Sequence, residues 1–86
     1  NQAVEPEVNA PTLSDMPAWV QSELPSLNFQ QHIYTSEGES WVKVNGRDRY
    51  EGDTISEKLV LNHIYGQKVI LTFKGQQFSL PALSSW

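Results

Sequence analysis

At 86 residues with no cysteine, the chain has room for one small domain and no disulfide to staple it. Its formal net charge of −4 lies wholly in residues 1–25, which carry four acids and no base, while residues 26–86 carry six of each. A neutral module lacks the basic surface that nucleic-acid or anionic-membrane binding needs, and no run of 18 apolar residues is present to span a bilayer. The absence of cysteine fits cytoplasm and periplasm equally. The chain begins at Asn1 without an initiator Met or a signal-like stretch, which reads as a processed product or a fragment whose anchor lies elsewhere.

Four of the five prolines (Pro6, Pro11, Pro17, Pro25) fall in residues 1–25, and all five glycines follow residue 37. Early proline predicts an extended lead-in; glycines between apolar runs predict short strands joined by hairpins. Residues 1–25 are therefore expected to be a Pro-rich acidic linker, disordered through Leu13. A short helix is expected over 15–23, capped by Ser14-Asp15, with Trp19, Val20 and Leu24 on one face. Two helical turns cannot stand alone in water, so this helix docks through Trp19 or frays. The module itself is expected over 26–81, with 82–86 as a tail of no assigned role.

From Leu27 the period becomes two. Leu27, Phe29, Gln31 and Ile33 point one way; Asn28, Gln30, His32 and Tyr34 point the other. Strands over 41–44 and 47–50 flank Asn45-Gly46, a strong hairpin signal because both turn positions need positive φ. A two-residue turn there sets Lys43 opposite Asp48 and Trp41 opposite Tyr50, an ion pair and an aromatic pair in one register. Either face of this hairpin can be the inner one; Val42 and Val44 are the preferred choice. Glu51-Gly52-Asp53 makes the next turn. A three-residue loop at Tyr65-Gly66-Gln67 pairs Leu59 with Phe73 and Leu61 with Leu71, keeping the apolar sets on one face. A two-residue turn at Lys74-Gly75 then pairs Leu71 with Phe78 and Val69 with Leu80, and Pro81 ends the last strand. The expected core is Leu27, Phe29, Ile33, Val42, Val44, Ile55, Leu59, Leu61, Val69, Leu71, Phe73, Phe78 and Leu80. Truncating Phe78 or Leu71 to Ala is expected to cost roughly 2–5 kcal/mol.

No constellation reads as an active site. His32 and His63 sit in different strands without metal-ligand spacing, so no metal is expected. Asp48 faces Lys43, while Glu51 and Asp53 flank a turn glycine, where such residues serve the backbone. Ser79 lacks a nucleophile elbow. Arg47 and Arg49 among the aromatics would suit an oligonucleotide-binding barrel, but no basic stripe accompanies them. The feature with functional content is the first strand. It follows a linker, which predicts a sheet edge, and it holds no Lys or Arg. Natural edges are guarded by charge or proline. An unguarded one invites strand addition by a partner, unless the N-terminal helix or a loop covers it.

Residues 23–80 carry a series of short motifs in order: Glu23-Leu24-Pro25-Ser26-Leu27-Asn28, His32-Ile33-Tyr34, Val44-Asn45-Gly46-Arg47, Tyr50-Glu51-Gly52-Asp53, Leu59-Val60-Leu61 with Ile64, and Leu71-Thr72-Phe73-Lys74-Gly75-Gln76-Gln77-Phe78. Together they resemble the C-terminal periplasmic domain of general secretion pathway protein B, an accessory component of the bacterial type II secretion system. The resemblance implies an all-β fold, a small antiparallel β-sandwich of about six to seven short strands behind a short N-terminal helical turn. It implies a periplasmic domain of an inner-membrane-anchored protein. It also implies a scaffold or assembly role without catalysis or cofactor.

The implied partner is the periplasmic N-terminal region of the outer-membrane secretin, with the inner-membrane ATPase protein A as a second. Asn28, Phe29, Gln30, Gln31, His32, Ile33 and Tyr34 are the expected contact, through main-chain pairing. A proline at Gln30 is expected to abolish secretin binding while the domain stays folded. A generic periplasmic strand-binding module and an oligonucleotide-binding β-barrel are the alternatives.

Overall fold

Asn45-Gly46 and Lys74-Gly75 take positive φ at both residues, 51° with 84° and 50° with 85°. This is the backbone of a two-residue turn whose twist matches the strands it joins. The computed structural model, which describes residues 7–86, arranges the strands so closed into two antiparallel sheets. One holds β1 (Phe29–Ile33), β2 (Trp41–Val44) and β3 (Arg47–Tyr50) in that order. The other holds β4 (Thr54–Ser56), β5 (Leu59–Ile64), β6 (Lys68–Phe73) and β7 (Gln76–Pro81). A 3-10 turn at Leu13–Asp15 and a short helix α1 (Ala18–Glu23) precede them. The fold is the expected all-β sandwich of seven strands behind a helical turn.

The expected registers hold. Trp41 pairs with Tyr50, Lys43 with Asp48, Leu71 with Phe78 and Val69 with Leu80. Val42 and Val44 face inward and are buried, which settles the hairpin's orientation. Leu59 pairs with Phe73 and Leu61 with Leu71, yet the loop beyond them differs from expectation. The Tyr65 N–H donates to the Lys68 carbonyl at 2.9 Å, so only Gly66 and Gln67 form the turn. The extra residue is absorbed by a bulge between Leu61 and His63. That bulge turns Ile64 inward, where it is buried opposite Val69.

A second bulge lies between Phe29 and Gln31 in β1. It shifts the side-chain phase by one residue. His32 now lies opposite inward-facing Val42, and Ile33 lies opposite Trp41 on the outer face, 42% exposed. Placing Ile33 in the core was therefore wrong, and the cause is the inserted residue rather than the alternation. Ile55 is only partly buried, packed against the core from β4. The other expected core residues are buried.

The N-terminal segment is the larger correction. Leu13, Met16, Val20 and Leu24 belong to the main core cluster, with Leu13 1% and Val20 0% exposed. Burying a side chain of this size contributes about 1.5–3 kcal/mol, so the segment is part of the module rather than a tether. Its helix spans 18–23 instead of 15–23, with Pro17 as its N-cap, and it docks through Val20 while Trp19 stays 40% exposed. Residues 7–13, expected to be disordered, lie along the four-stranded sheet. The Ser79 N–H donates to the Pro11 carbonyl at 2.8 Å, the Val8 N–H to the Tyr65 hydroxyl at 2.9 Å, and Lys68 Nζ lies 3.6 Å from Glu7. The expectation for residues 1–6 falls outside the described residues.

Candidate partner-binding edge

The Asn-Gly turn that closes β2 on β3 also anchors the start of β1. Asn45 Oδ1 accepts the Asn28 N–H at 2.8 Å, its backbone N–H donates to the Asn28 carbonyl at 3.0 Å, and its Nδ2 donates to the Ser26 carbonyl at 3.0 Å. The Gly46 N–H donates to Gln30 Oε1 at 2.6 Å. Asn28 and Gln30 are thereby bound to the neighbouring hairpin on the inner border of β1.

The outer border splits in two. Over residues 27–29 it is already occupied. The Leu27 N–H donates to the Trp86 carbonyl at 2.9 Å, the Trp86 N–H donates back at 2.7 Å, and the Phe29 N–H donates to the Ser84 carbonyl at 3.0 Å. Asn28 and Ser85 form an antiparallel bridge. The tail expected to have no role is thus bridged onto β1, and Asn28 and Phe29 do not offer an open border as expected. Phe29 is moreover 3% exposed, its side chain within the core.

Beyond the bulge the pairing parity changes. A two-residue hairpin makes Val44 and Arg47 a hydrogen-bonded pair, so Trp41 and Lys43 turn their backbone groups toward β1. Their partners Ile33 and Gln31 are then satisfied inward, and His32 presents its backbone groups outward. Among the described residues, no backbone hydrogen bond from outside the ladder reaches β1 past Phe29.

The side chains there divide by face. His32 points between the sheets, with Nε2 2.6 Å from the Tyr65 carbonyl, which ties β1 to the β5–β6 turn. Tyr34 lines a shallow groove of about 520 Å³ with Glu7, Gly66, Gln67 and Lys68. Ile33, Trp41 and Tyr50 form a cross-strand row on the outer face. Gln30 and Gln31 are exposed. Of the seven expected contact residues, Gln30, Gln31, Ile33 and Tyr34 are exposed, and His32 is half-buried with only its backbone turned outward. Residues 84–86, Gly66, Gln67 and Lys68 border them and were not anticipated. The spacing of Leu13, Met16, Val20 and Leu24, by three or four residues, was the signal for the docked N-terminal segment.

The other borders are covered in part, while the outward backbone groups of Asp48 on β3 and Gln77 on β7 meet no hydrogen-bond partner among the described residues. On β3, the Tyr50 N–H donates to Asp53 Oδ2 at 2.7 Å and the Tyr50 carbonyl accepts the Asp53 N–H at 3.0 Å. Arg49 reaches from β3 to the Thr54 and Ile55 carbonyls of β4, at 3.4 Å each. On β7, Ser79 is covered by Pro11. The carboxylates serve the backbone too, since Glu51 Oε2 accepts the Ile64 N–H at 2.8 Å. Among the described residues, no group of three His, Asp or Glu side chains could hold a metal ion, and no helix is long and apolar enough to cross a membrane.

The structure is a two-sheet, all-β module with uncovered strand backbone at its edges. Comparison with known proteins gives it a family. The family model described as Type II secretion system protein B matches residues 24–82. The chain belongs to that family. It is 33% identical over 67 residues to general secretion pathway protein B of Klebsiella pneumoniae, covering 77% of this chain and 38% of that protein. The corresponding protein of Dickeya dadantii (strain 3937) is 38% identical over 65 residues, covering 74% and 30%. That of Aeromonas hydrophila is 31% identical over 81 residues, covering 93% and 36%. The crystal structure of Dickeya dadantii GspB from the type 2 secretion system superposes with a TM-score of 0.71 at 38% identity, over 73% of this chain and 76% of that one. The chain spans roughly a third of the length of the curated relatives it matches.

Proposed function

We propose that this module is a non-catalytic scaffold of the type II secretion system that binds a periplasmic N-terminal domain of the outer-membrane secretin. Contact is made by strand pairing along β1. The carrying observation is the border from Gln30 to Tyr34, which holds no charged residue and, past Phe29, no covering strand. On this reading the module lies in the periplasm, held by an inner-membrane anchor elsewhere in the full protein, and the inner-membrane ATPase protein A is a further partner. Main-chain pairing at His32 supplies affinity, and the groove beside Tyr34 receives a side chain of the added strand. The oligonucleotide-binding alternative has less support, because Arg49 is committed to β4 carbonyls.

Proline at His32 removes the outward N–H; it also removes the side chain that meets the Tyr65 carbonyl, as proline at Gln30 removes the one that holds the Gly46 N–H, so the fold of either variant is checked first. A folded His32→Pro chain is expected to lose secretin binding in a pull-down. Retained binding removes the assignment.

A further inference from the structure

Three backbone hydrogen bonds of 2.7–3.0 Å hold residues 84–86 on β1, but their connection to β7 is strained. The segment leaves the border at Ser84, whose N–H turns back to the Pro81 carbonyl at 3.3 Å. The link to β7 passes through Leu83, which is exposed and holds φ at +61°, a strained conformation for a bulky side chain. Beside the segment lies an unfilled cleft of about 300 Å³ whose lining includes Leu13, Leu80, Pro81 and Trp86. The Trp86 indole does not fill it; it remains 39% exposed, with Nε1 3.4 Å from the Gln21 carbonyl. The covering of β7 is built differently, since the residues after Pro11 lead directly into Leu13, which is buried in the core.

We propose that residues 84–86 are a replaceable occupant of the border at 27–29. An extended segment of a partner chain, antiparallel to β1 and carrying an aromatic side chain for the cleft, takes their place. The three residues themselves show the chemistry that fits: two small polar residues, then an aromatic one, with both Leu27 backbone groups satisfied by the aromatic residue's own. A chain not tethered to β7 has an advantage over them. It continues across the bulge to the outward groups of His32, where the tethered segment cannot follow. The accessible border then runs from Leu27 to Tyr34 and matches a strand of ordinary length. The inference rests on the secretin reading only for who supplies the strand.

The test uses the full chain, isotope-labelled, and the acetylated pentapeptide Ala-Leu-Ser-Ser-Trp, the sequence of residues 82–86. Trp86→Pro deletes both the indole and the N–H that bonds Leu27. It is expected to bind the peptide about tenfold or more tighter than the unaltered chain, because its border is no longer occupied. Slow exchange of the Leu27 and Phe29 amides should be lost in the variant and return with peptide. Equal affinity for both chains, or amides indifferent to saturating peptide, overturns the proposal.

If Trp86→Pro does not fold, Trp86→Ala is used with the same criteria. In the unaltered chain, relaxation dispersion at Leu27 and Phe29 should report opening that Leu71 lacks; its absence also overturns the proposal. A secretin periplasmic domain added to both chains separates the two readings. Tighter binding to Trp86→Pro supports both. Peptide binding with no secretin binding removes the secretin reading and leaves the replaceable border standing.

Discussion

Leu27 and Trp86 exchange both of their backbone hydrogen bonds, at 2.9 and 2.7 Å, across 59 residues of chain. This closure joins the start of the sandwich to its last strand segment and sets where the β1 border becomes available. Upstream of Phe29 the border is taken; downstream it carries His32, Ile33 and Tyr34 into the open.

Leu13→Ala measures whether the N-terminal segment is structural. Leu13 is fully buried among core residues, so truncation should lower the free energy of unfolding by about 2–5 kcal/mol in a denaturant titration. A loss under about 0.5 kcal/mol, the usual effect of a surface change, would mean that the segment is a tether after all.

Ile33→Thr reads the phase of β1. With Ile33 on the outer face and its branched backbone preference kept, the loss should stay within about 1 kcal/mol. An unbulged strand would bury Ile33, and polar burial plus lost packing would cost about 2 kcal/mol or more.

Both bulges explain what the sequence showed and what it hid. Registers governed by tight turns, such as Trp41 with Tyr50, were legible because Asn45-Gly46 leaves the chain few alternatives. Matching of Leu59 with Phe73 was legible because a slip would expose every apolar side chain. An inserted residue at Gln30 or Asn62 leaves no such mark, since the alternation resumes unchanged on the other side. Ile33 and the 65–67 loop were misplaced for that reason. The N-terminal stripe was masked by proline, which breaks the helix that its spacing describes into a 3-10 turn and α1. Residues 84–86 were silent because three residues carry no period. On β1 the uncovered part lies toward Tyr34, because residues 84–86 cover its start.

Glu51→Ala removes the acceptor of the Ile64 N–H beside the β5 bulge. Stability should fall by about 1 kcal/mol, and Glu51→Gln, which keeps an acceptor oxygen, should recover most of it. Equal losses for the two variants would show that charge, not the hydrogen bond, matters there.

Gly66 and Gly75 should respond oppositely to alanine. Gly75 holds φ at +85°, so Gly75→Ala should cost about 1 kcal/mol. Gly66 lies outside the left-handed region, and a Cβ there would meet Tyr34 at an ordinary 3.9 Å. Gly66→Ala should be neutral or stabilising by about 0.4–1 kcal/mol through the unfolded chain. Thermal unfolding of the two variants decides it.

The central claim is that β1 pairs with a strand of the secretin. Amide chemical-shift mapping of the isotope-labelled chain against isolated secretin periplasmic domains tests it most directly. Shifts concentrated at Gln30, Gln31, His32, Ile33 and Tyr34, with slowed exchange of the His32 amide on binding, are the expected result. Shifts confined to β3 and β4, or to the outer face of β5–β7, with His32 unchanged, would contradict it.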